Sequence, residues 1–319
     1  MTEPLWVFTP VYHDVPSFLV LRERLAEHGA RFVVADDSAG RDPEVARLRE
    51  LDDVEVVEPP FNLGHQRALV YAIRLKAAEI GDEDVIVTLD ADGEDKPEDL
   101  PRLVAELLSD PNERAIVMAW RTSRHEPPLF KLGYLAFRLA FRALTGRVVR
   151  TGNFAAYRGW VARNVLTHPQ FDLSYSAALI ALELPVAYVP CARGERYAGR
   201  SGMGYRKLML HGLSMLMPFM DRIVLRALVA FTVTLAVAVA AAVAVVAVKL
   251  TTDTAIPGWA TYTLLLLVVL SFVALGNLAL LFSVFAQNRA ISLAELERRT
   301  VAGAPDPAQR SAGAGTMRM

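Results

Sequence analysis

Cysteine is almost missing from this chain. Cys191 is the single one in 319 residues, which excludes an internal disulfide and makes a buried structural thiol its default reading. A basic excess is missing too. The 34 Lys and Arg are opposed by 35 Asp and Glu, for a net charge of −1, and that balance argues against a general nucleic-acid binder. Glycine fingerprints of a dinucleotide fold or a P-loop are absent, so NAD-binding and ATP-hydrolysing folds lose ground. Met1 to Pro4 carries no basic residue and Leu5 to Phe8 is too short for a signal core, so no secretory leader is expected.

What is abundant is apolar residues, 53% of the total, and they are localised. Leu228 to Val248 and Thr263 to Phe285 are each long enough to cross a bilayer, which takes about 20 residues. The first holds no charge, and the second holds only Ser271, Asn277 and Ser283 as polar interruptions after Thr263. One central charge opposes insertion by about 3 kcal/mol, so stretches without any read as two transmembrane helices. Arg206, Lys207, Arg222 and Arg226 precede the first span, and Arg289, Arg298 and Arg299 follow the second. The connector from Lys249 to Trp259 holds one lysine and Asp253. Both long ends are therefore expected on the cytoplasmic side of a cell membrane.

The first half alternates short apolar runs with helical periodicity. Leu5 to Thr9, Arg31 to Ala35, Val54 to Val57, Val85 to Leu89 and Ala115 to Ala119 read as strands. Between them, Phe18, Leu21 and Leu25, then Val45, Leu48 and Leu51, then Leu69, Ala72, Ile73 and Ile80 read as helices. That alternation predicts an α/β domain with a parallel sheet. Polar clusters fall where strand hands over to helix: Pro10 to Asp14, Asp36-Asp37, Asn62 to Gln66, and Asp90 to Asp95. They share one rim of the predicted sheet, where open α/β folds bind ligands, and together suggest a nucleotide pocket.

The last cluster is the most acidic. Asp90, Asp92, Glu94 and Asp95 crowd behind an apolar strand, and carboxylates so close repel one another unless a cation lies among them. Hard oxygen ligands on a short turn suit Mg²⁺ or Mn²⁺ bridging to phosphates; a solvated acidic loop capping the helix at Leu100 to Leu107 is the plainer reading. His13 and His65 read as structural or helix-start residues.

Beyond the fifth strand stand Arg121 and Arg124, and then Phe130 to Leu144, where Leu132, Leu135, Phe137, Leu139 and Phe141 mix with Lys131, Arg138 and Arg142. Such a basic, aromatic, amphipathic helix reads as lying in a membrane interface, with a core helix carrying snorkelling arginines as the other reading. A helix near Gly159 to Leu166, another over Ser174 to Leu182 and a strand near Val186 to Val189 follow. Glu195 to Ser201 is glycine-rich and basic, suited to a mobile loop closing over an anion. Tyr205 to Met220 reads as a second interfacial helix, and the Ala-, Gly- and Pro-rich tail from Ala302 as disordered.

These residues resemble, in series, the membrane-bound glycosyltransferases of family 2 with a GT-A fold, in particular the dolichyl- and polyprenyl-phosphate sugar synthases. Pro10-Val11-Tyr12-His13-Asp14 resembles the family's PxYNE segment at the base pocket, with Asp14 where Glu is usual. Asp36-Asp37-Ser38 resembles its DDxS, whose second aspartate recognises the nucleoside, and Asn62 to Ala68 is similar to its NxGxxxA helix start. Asp90-Ala91-Asp92 resembles the DxD metal site, with Glu94 at the third ligand position. Arg121 resembles the arginine ending strand five, and Glu195 to Ser201 the ERxxGxS loop, its arginine at Arg196.

The chain departs from the pattern in three places. Gly202 stands where a lysine is usual, leaving Arg200, Arg206 or Lys207 to supply that charge. Gly152-Asn153-Phe154-Ala155 replaces GDFR, and ADGEDKPED replaces DLQDPPE.

The resemblance implies a Rossmann-like nucleotide-sugar-binding domain over residues 1–200, with its interfacial helix at 130–145. A juxtamembrane helix at 201–226, a two-helix membrane domain at 227–286 and a cytoplasmic tail at 287–319 complete the expected organisation. It implies inverting transfer from a nucleoside-diphosphate sugar to polyprenyl phosphate with Mg²⁺ or Mn²⁺. Asp90, Asp92 and Glu94 would hold the metal, and Pro10, Tyr12, Asp14, Asp37, Asn62, Asp90, Ala91 and Asp92 the donor. Asn153, Arg196, Arg200 and Ser201 would meet the acceptor, and Asp92, Arg121 and Arg196 would act in catalysis. A hydroxyl acceptor, or a membrane protein that binds nucleotide sugars without turnover, are the competing readings. A processive synthase is disfavoured because no QxxRW-like segment precedes the spans. Membrane lipids are expected partners, nucleic acid is not, and a homo-oligomer stays open.

Overall fold

The computed structural model describes residues 4–109, 115–122, 128–148, 152–197, 205–251 and 258–288. They divide into two compact units, 1–219 and 220–319.

The first unit is built on a seven-stranded sheet of order β3-β2-β1-β4-β6-β5-β7. Its strands are β1 (Leu5–Val11), β2 (Arg31–Asp36), β3 (Val54–Val57), β4 (Val85–Thr88), β5 (Ile116–Arg121), β6 (Ala155–Arg158) and β7 (Val186–Cys191). β1 pairs in parallel with β2 and β4, and β2 with β3. Their apolar runs do not alternate because both faces are covered. Val7, Phe8, Val33, Val34, Ile86 and Val87 have no exposed surface.

α1 (Val15–Leu25) and α3 (Leu100–Ser109) lie on one face. Phe18, Leu21 and Leu25, with Leu100, Leu103, Val104 and Leu107, join Val7, Val34 and Val87 in one core. The spacing of the α3 residues is that of a single helical stripe. α2 (His65–Lys76) packs on β1 and β2 and also meets α5 (Tyr175–Ala181).

The expectation of a parallel sheet fails at β6. This strand runs antiparallel to both β4 and β5, pairing Thr88 with Ala155 and Met118 with Ala155, so the sheet is mixed. β6 has no sequence signature because it is four residues long and begins Ala-Ala, a residue depleted in strands. Tertiary placement between two strands, with all four residues buried, makes it one. Two helical expectations also change form: Pro43–Glu50 is a 3₁₀ segment and Val161–Val165 a π turn.

α4 (Pro128–Thr145) and α6 (Tyr205–Leu216) touch one another. Phe137 of α4 sits against Gly212 of α6, where a Cβ would stand 3.0 Å from its ring. Leu135, Leu139, Met209, Leu210 and Leu213 on these helices remain exposed.

The second unit is a pair of packed helices, α7 (Met220–Thr251) and α8 (Trp259–Asn288). Candidate membrane spans lie within Met209–Thr251 and Trp259–Leu281, with mean hydropathies of 2.6 and 2.7. Ala238 and Ala274 are buried, and small side chains of this kind let helix backbones approach closely. Val233, Val237, Leu265, Leu266 and Leu280 face outward, as suits a hydrocarbon solvent.

Candidate active site

The acidic turn leaves the sheet after β4 and doubles back at Gly93, whose φ of +88° lies in the left-handed region that favours glycine. The segment following β7 runs beside it. The Gly194 N–H donates to the Glu94 carbonyl and the Tyr197 N–H to the Asp92 carbonyl, both at 2.9 Å. The crossing is too close for side chains, since a Cβ on Gly194 would stand 2.1 Å from the Gly93 carbonyl oxygen. Gly194→Ala therefore has to push the two segments apart. We expect a loss of about 1–3 kcal/mol, read as a lower Tm, together with reduced activity; an unchanged Tm would show that the segments separate freely.

Every carboxylate of the turn has a partner. Asp95, nearly buried, accepts from Arg121 Nη2 at 2.9 Å. Asp90 accepts from Asn153 Nδ2 at 3.0 Å. Asp92 Oδ1 accepts from the Glu94 N–H at 3.0 Å, and its Oδ2 lies 2.9 Å from Arg196 Nη2. Glu94 is gripped by Arg193 and by Arg196 Nε, the latter at 2.9 Å. Arg196 thus bridges Asp92 and Glu94.

Burial and the neighbouring Asp90 charge push the Asp92 carboxyl up to about 6. Asp90 moves the same way, through burial first and then Asp95, while its Asn153 hydrogen bond opposes. Burial would raise Glu94 as well, but Arg193 and Arg196 outweigh it and hold Glu94 below its ordinary value. Two half-buried acids that resist ionisation beside each other form a donor set fitted to a hard divalent cation, which relieves their repulsion. Among the described residues no three acid, His or Cys side chains converge to hold a metal, because Glu94 is turned to the arginines.

The other rim clusters meet at Asp37. Its carboxylate accepts from the Leu63 N–H at 2.7 Å, the Gly64 N–H at 3.2 Å and Asn62 Nδ2 at 3.1 Å. The Asp37 N–H donates to the Val11 carbonyl at 2.9 Å, tying the β1, β2 and β3 ends together. Burial raises the Asp37 carboxyl, and the two backbone N–H groups oppose that. Tyr12 projects into solvent at 58% exposure, its ring edge-on to that of His13, whereas Ala91 is buried. Pro10 and Asp14 flank it, half-buried. Asp14 precedes α1 without a side-chain cap bond.

His65 opens α2, 5.9 Å from the ring of His211 on α6. Burial lowers both imidazoles, His211 to about 4, so the pair is neutral at physiological pH. His13 lies 3.7 Å from Asp42, and Cys191 is buried and free.

The structure brings Asp90, Asp92, Glu94, Arg121, Asn153 and Arg196 into one place. It gathers Asp37 and Asn62 in a second, linked by Val11 to the end of β1, which Tyr12 follows. Arg121 faces inward to Asp95, beneath Gly152, where a Cβ would stand 2.6 Å from Arg121 Nη2. Arg200 and Ser201, like Arg124 and Gly202, lie outside the described residues, as do the side chains of Arg206 and Lys207. Sequence reasoning missed Arg193, Gly194, His211 and the role of Gln66. Gly93 carried a signal, a glycine inside an acidic turn; Arg193 carried none.

A half-sheet of four parallel strands, a metal-suited acidic turn beyond its β4, and an antiparallel β6 beside that strand define a GT-A glycosyltransferase domain. Residues 6–163 match the model of glycosyl transferase family 2, and this part of the chain is a member of that family. No curated protein matches the chain. Solved structures of similar fold include glucosyl-3-phosphoglycerate synthase from Mycobacterium tuberculosis with Mn²⁺, UDP-glucose and phosphoglyceric acid. That protein is 18% identical, with 70% of this chain and 80% of that chain covered and a TM-score of 0.49. Another is a mycobacterial protein, 20% identical, covering 69% of this chain and 75% of that chain, with a TM-score of 0.49.

Proposed function

We propose that this glycosyltransferase moves a sugar, with inversion, from a nucleoside-diphosphate donor to a polyprenyl phosphate at the cytoplasmic face of a cell membrane. The observation that carries this reading is the commitment of all four carboxylates of the turn. Asp90 is bound to Asn153, Asp92 and Glu94 to Arg196, Glu94 also to Arg193, and Asp95 to Arg121. With Asp90 and Asp92 also given to a metal ion, none is left to act as a general base. A hydroxyl acceptor needs its proton removed, whereas a phosphate is ionised already at neutral pH. Asn153, standing where the resemblance puts an acid, fits the same economy of bases.

Asp90 and Asp92 would hold Mg²⁺ or Mn²⁺, joined by Glu94 when its arginines turn to phosphate. Bound there, the ion acts as a Lewis acid toward the leaving diphosphate. Asp37 and Asn62 shape the nucleoside end of the rim, and Tyr12 offers its ring. Arg121 keeps Asp95 and the turn in place. Arg196 carries a guanidinium able to grip phosphate oxygens bidentately, and Arg200 and Ser201 belong to the same basic segment. The apolar second unit and the exposed Leu135, Leu139, Met209, Leu210 and Leu213 support a lipid-bound acceptor and helices lying on the membrane. The division into residues 1–200, 201–226, 227–286 and 287–319 belongs to this reading.

The test offers the full chain in detergent micelles UDP- and GDP-sugars with Mn²⁺, and either a polyprenyl phosphate or the matching polyprenol. Sugar is expected on the phosphate alone. Transfer to the polyprenol or to a soluble hydroxyl overturns the acceptor, and donor binding without transfer to any acceptor overturns the enzyme reading for this site.

A further inference from the structure

The starts of α2 and α5 meet, and from their meeting a chain of amides runs to Asp90. The Tyr175 N–H, at the head of α5, donates to Gln66 Oε1 at 3.1 Å, and the Ser174 hydroxyl donates to the same oxygen at 3.0 Å. At its other end Gln66 Nε2 donates to Asn153 Oδ1 at 3.0 Å and to Ser176 Oγ at 3.2 Å. Asn153 Nδ2 then donates to Asp90 Oδ1 at 3.0 Å. Asn153, Ser174 and Ser176 are buried and Gln66 and Asp90 half-buried, which limits the competition from solvent for these bonds.

The two ends of a primary amide are alike in shape and opposite in polarity. Here the direction is dictated from the backbone. A peptide N–H only donates, so Gln66 has to present its oxygen to Tyr175 and its NH₂ to Asn153. Asn153 in turn presents its oxygen to Gln66 and its NH₂ to Asp90. The reverse setting of Asn153 would place a carbonyl oxygen at hydrogen-bond distance from a carboxylate oxygen, two acceptors with no proton between them. An amide at position 153 can take either setting, so it needs an orienting neighbour. We infer that Gln66 is a positioning residue for the transfer reaction: through Asn153 it fixes the rotation of the Asp90 carboxylate beside Asp92. This rests on the reading of Asp90 and Asp92 as the metal-holding pair.

The test compares Gln66→Glu and Gln66→Met in the full chain, each with and without Asn153→Ala. Glu keeps an oxygen for Ser174 and Tyr175 but turns a second acceptor to Asn153, which must reverse and aim its carbonyl at Asp90. Met cuts the tie to α5 and leaves Asn153 free to keep its NH₂ on Asp90. Mn²⁺ binding, followed by the electron paramagnetic resonance of the free ion, is expected to weaken about tenfold or more in Gln66→Glu and less in Gln66→Met. With Asn153→Ala present, Gln66→Glu should add less than about twofold, because interacting residues are non-additive. A Gln66 that merely ties α2 to α5 gives the opposite ranking, Met worse than Glu, and that result overturns the proposal. Tighter Mn²⁺ binding in Gln66→Glu overturns it too, since the reversed carbonyl would then be the better neighbour. If the unaltered chain binds no Mn²⁺, the metal reading falls, and the melting temperatures of the same metal-free variants decide the relay. A loss in Gln66→Glu that disappears with Asn153→Ala supports it, and an additive loss overturns it.

Discussion

Asp92→Asn is expected to lower divalent-ion-dependent sugar transfer about a hundred- to a thousandfold, the scale on which one group facing developing charge is felt. The substitution should leave the domain folded. Asn is isosteric, and its oxygen can still accept from the Glu94 N–H that now binds Asp92 at 3.0 Å; Arg196 loses its pairing with position 92 but keeps Glu94. It also removes a charge that burial and Asp90 make unfavourable. The sign of the pH dependence follows. The folded Asp92 carboxyl is raised to about 6, above the ordinary value near 3.9. Its contribution to stability is therefore full below that ordinary range and lost as pH rises through about 6. Asp92→Asn should remove that loss, so thermal unfolding without metal should show a Tm equal to or above that of the unaltered chain at pH 7, and a smaller decline from pH 4 to 7. Full transfer activity of Asp92→Asn in the presence of chelator would remove Asp92 from any metal role.

Arg196→Ala is expected to cut kcat about a hundredfold or more while changing nucleotide affinity by less than about tenfold. The side chain joins Asp92 and Glu94 in the resting arrangement, and those acids give it a higher affinity for its proton despite the burial that opposes this. It is a permanent cation held within reach of the turn that the donor phosphates would approach. Glu94 keeps Arg193 when Arg196 is lost, so the turn retains one of its clamps and the fold should persist. Arg196→Lys should recover little, because a point ammonium cannot span two oxygens as a planar guanidinium does. Steady-state kinetics beside equilibrium nucleotide binding separates the two quantities. A kcat left unchanged would reduce Arg196 to an ion pair that holds the loop after β7 against the acidic turn.

The parallel half of the fold was legible because its strands are continuous apolar runs, and such runs occur where both faces of a strand are covered. Val85 to Thr88 ends where the acids begin, so the position of the turn at the sheet rim was legible with it. β6 was not. Ala155 and Ala156 carry no strand preference, and only their placement between β4 and β5 makes them part of a sheet. Cys191 shows the same division: its burial followed from residue type, and its place at the end of the last strand did not.

The acids of the site were legible one by one, and their partners were not. Asn153 and Asp90 lie 63 residues apart, and Gln66 and Asn153 lie 87 apart. Such pairs depend on strand order and on how three loops converge, none of which a local pattern carries. Asp37 drew notice as a donor-facing residue; the structure adds that its carboxylate binds the N–H groups at the start of α2.

By itself the sequence determined the alternation of strand and helix, the two apolar spans and the acidic turn beyond β4. Each is a property of residues near one another along the chain, where hydrophobic period and turn chemistry act. Only the tertiary structure decided that the sheet is mixed, that Arg196 and Arg193 rest on the acids, and that Asn153 is hydrogen-bonded between Gln66 and Asp90. Those depend on which distant segments share a low-dielectric interior, where each buried carboxylate or amide has to find a partner of opposite polarity.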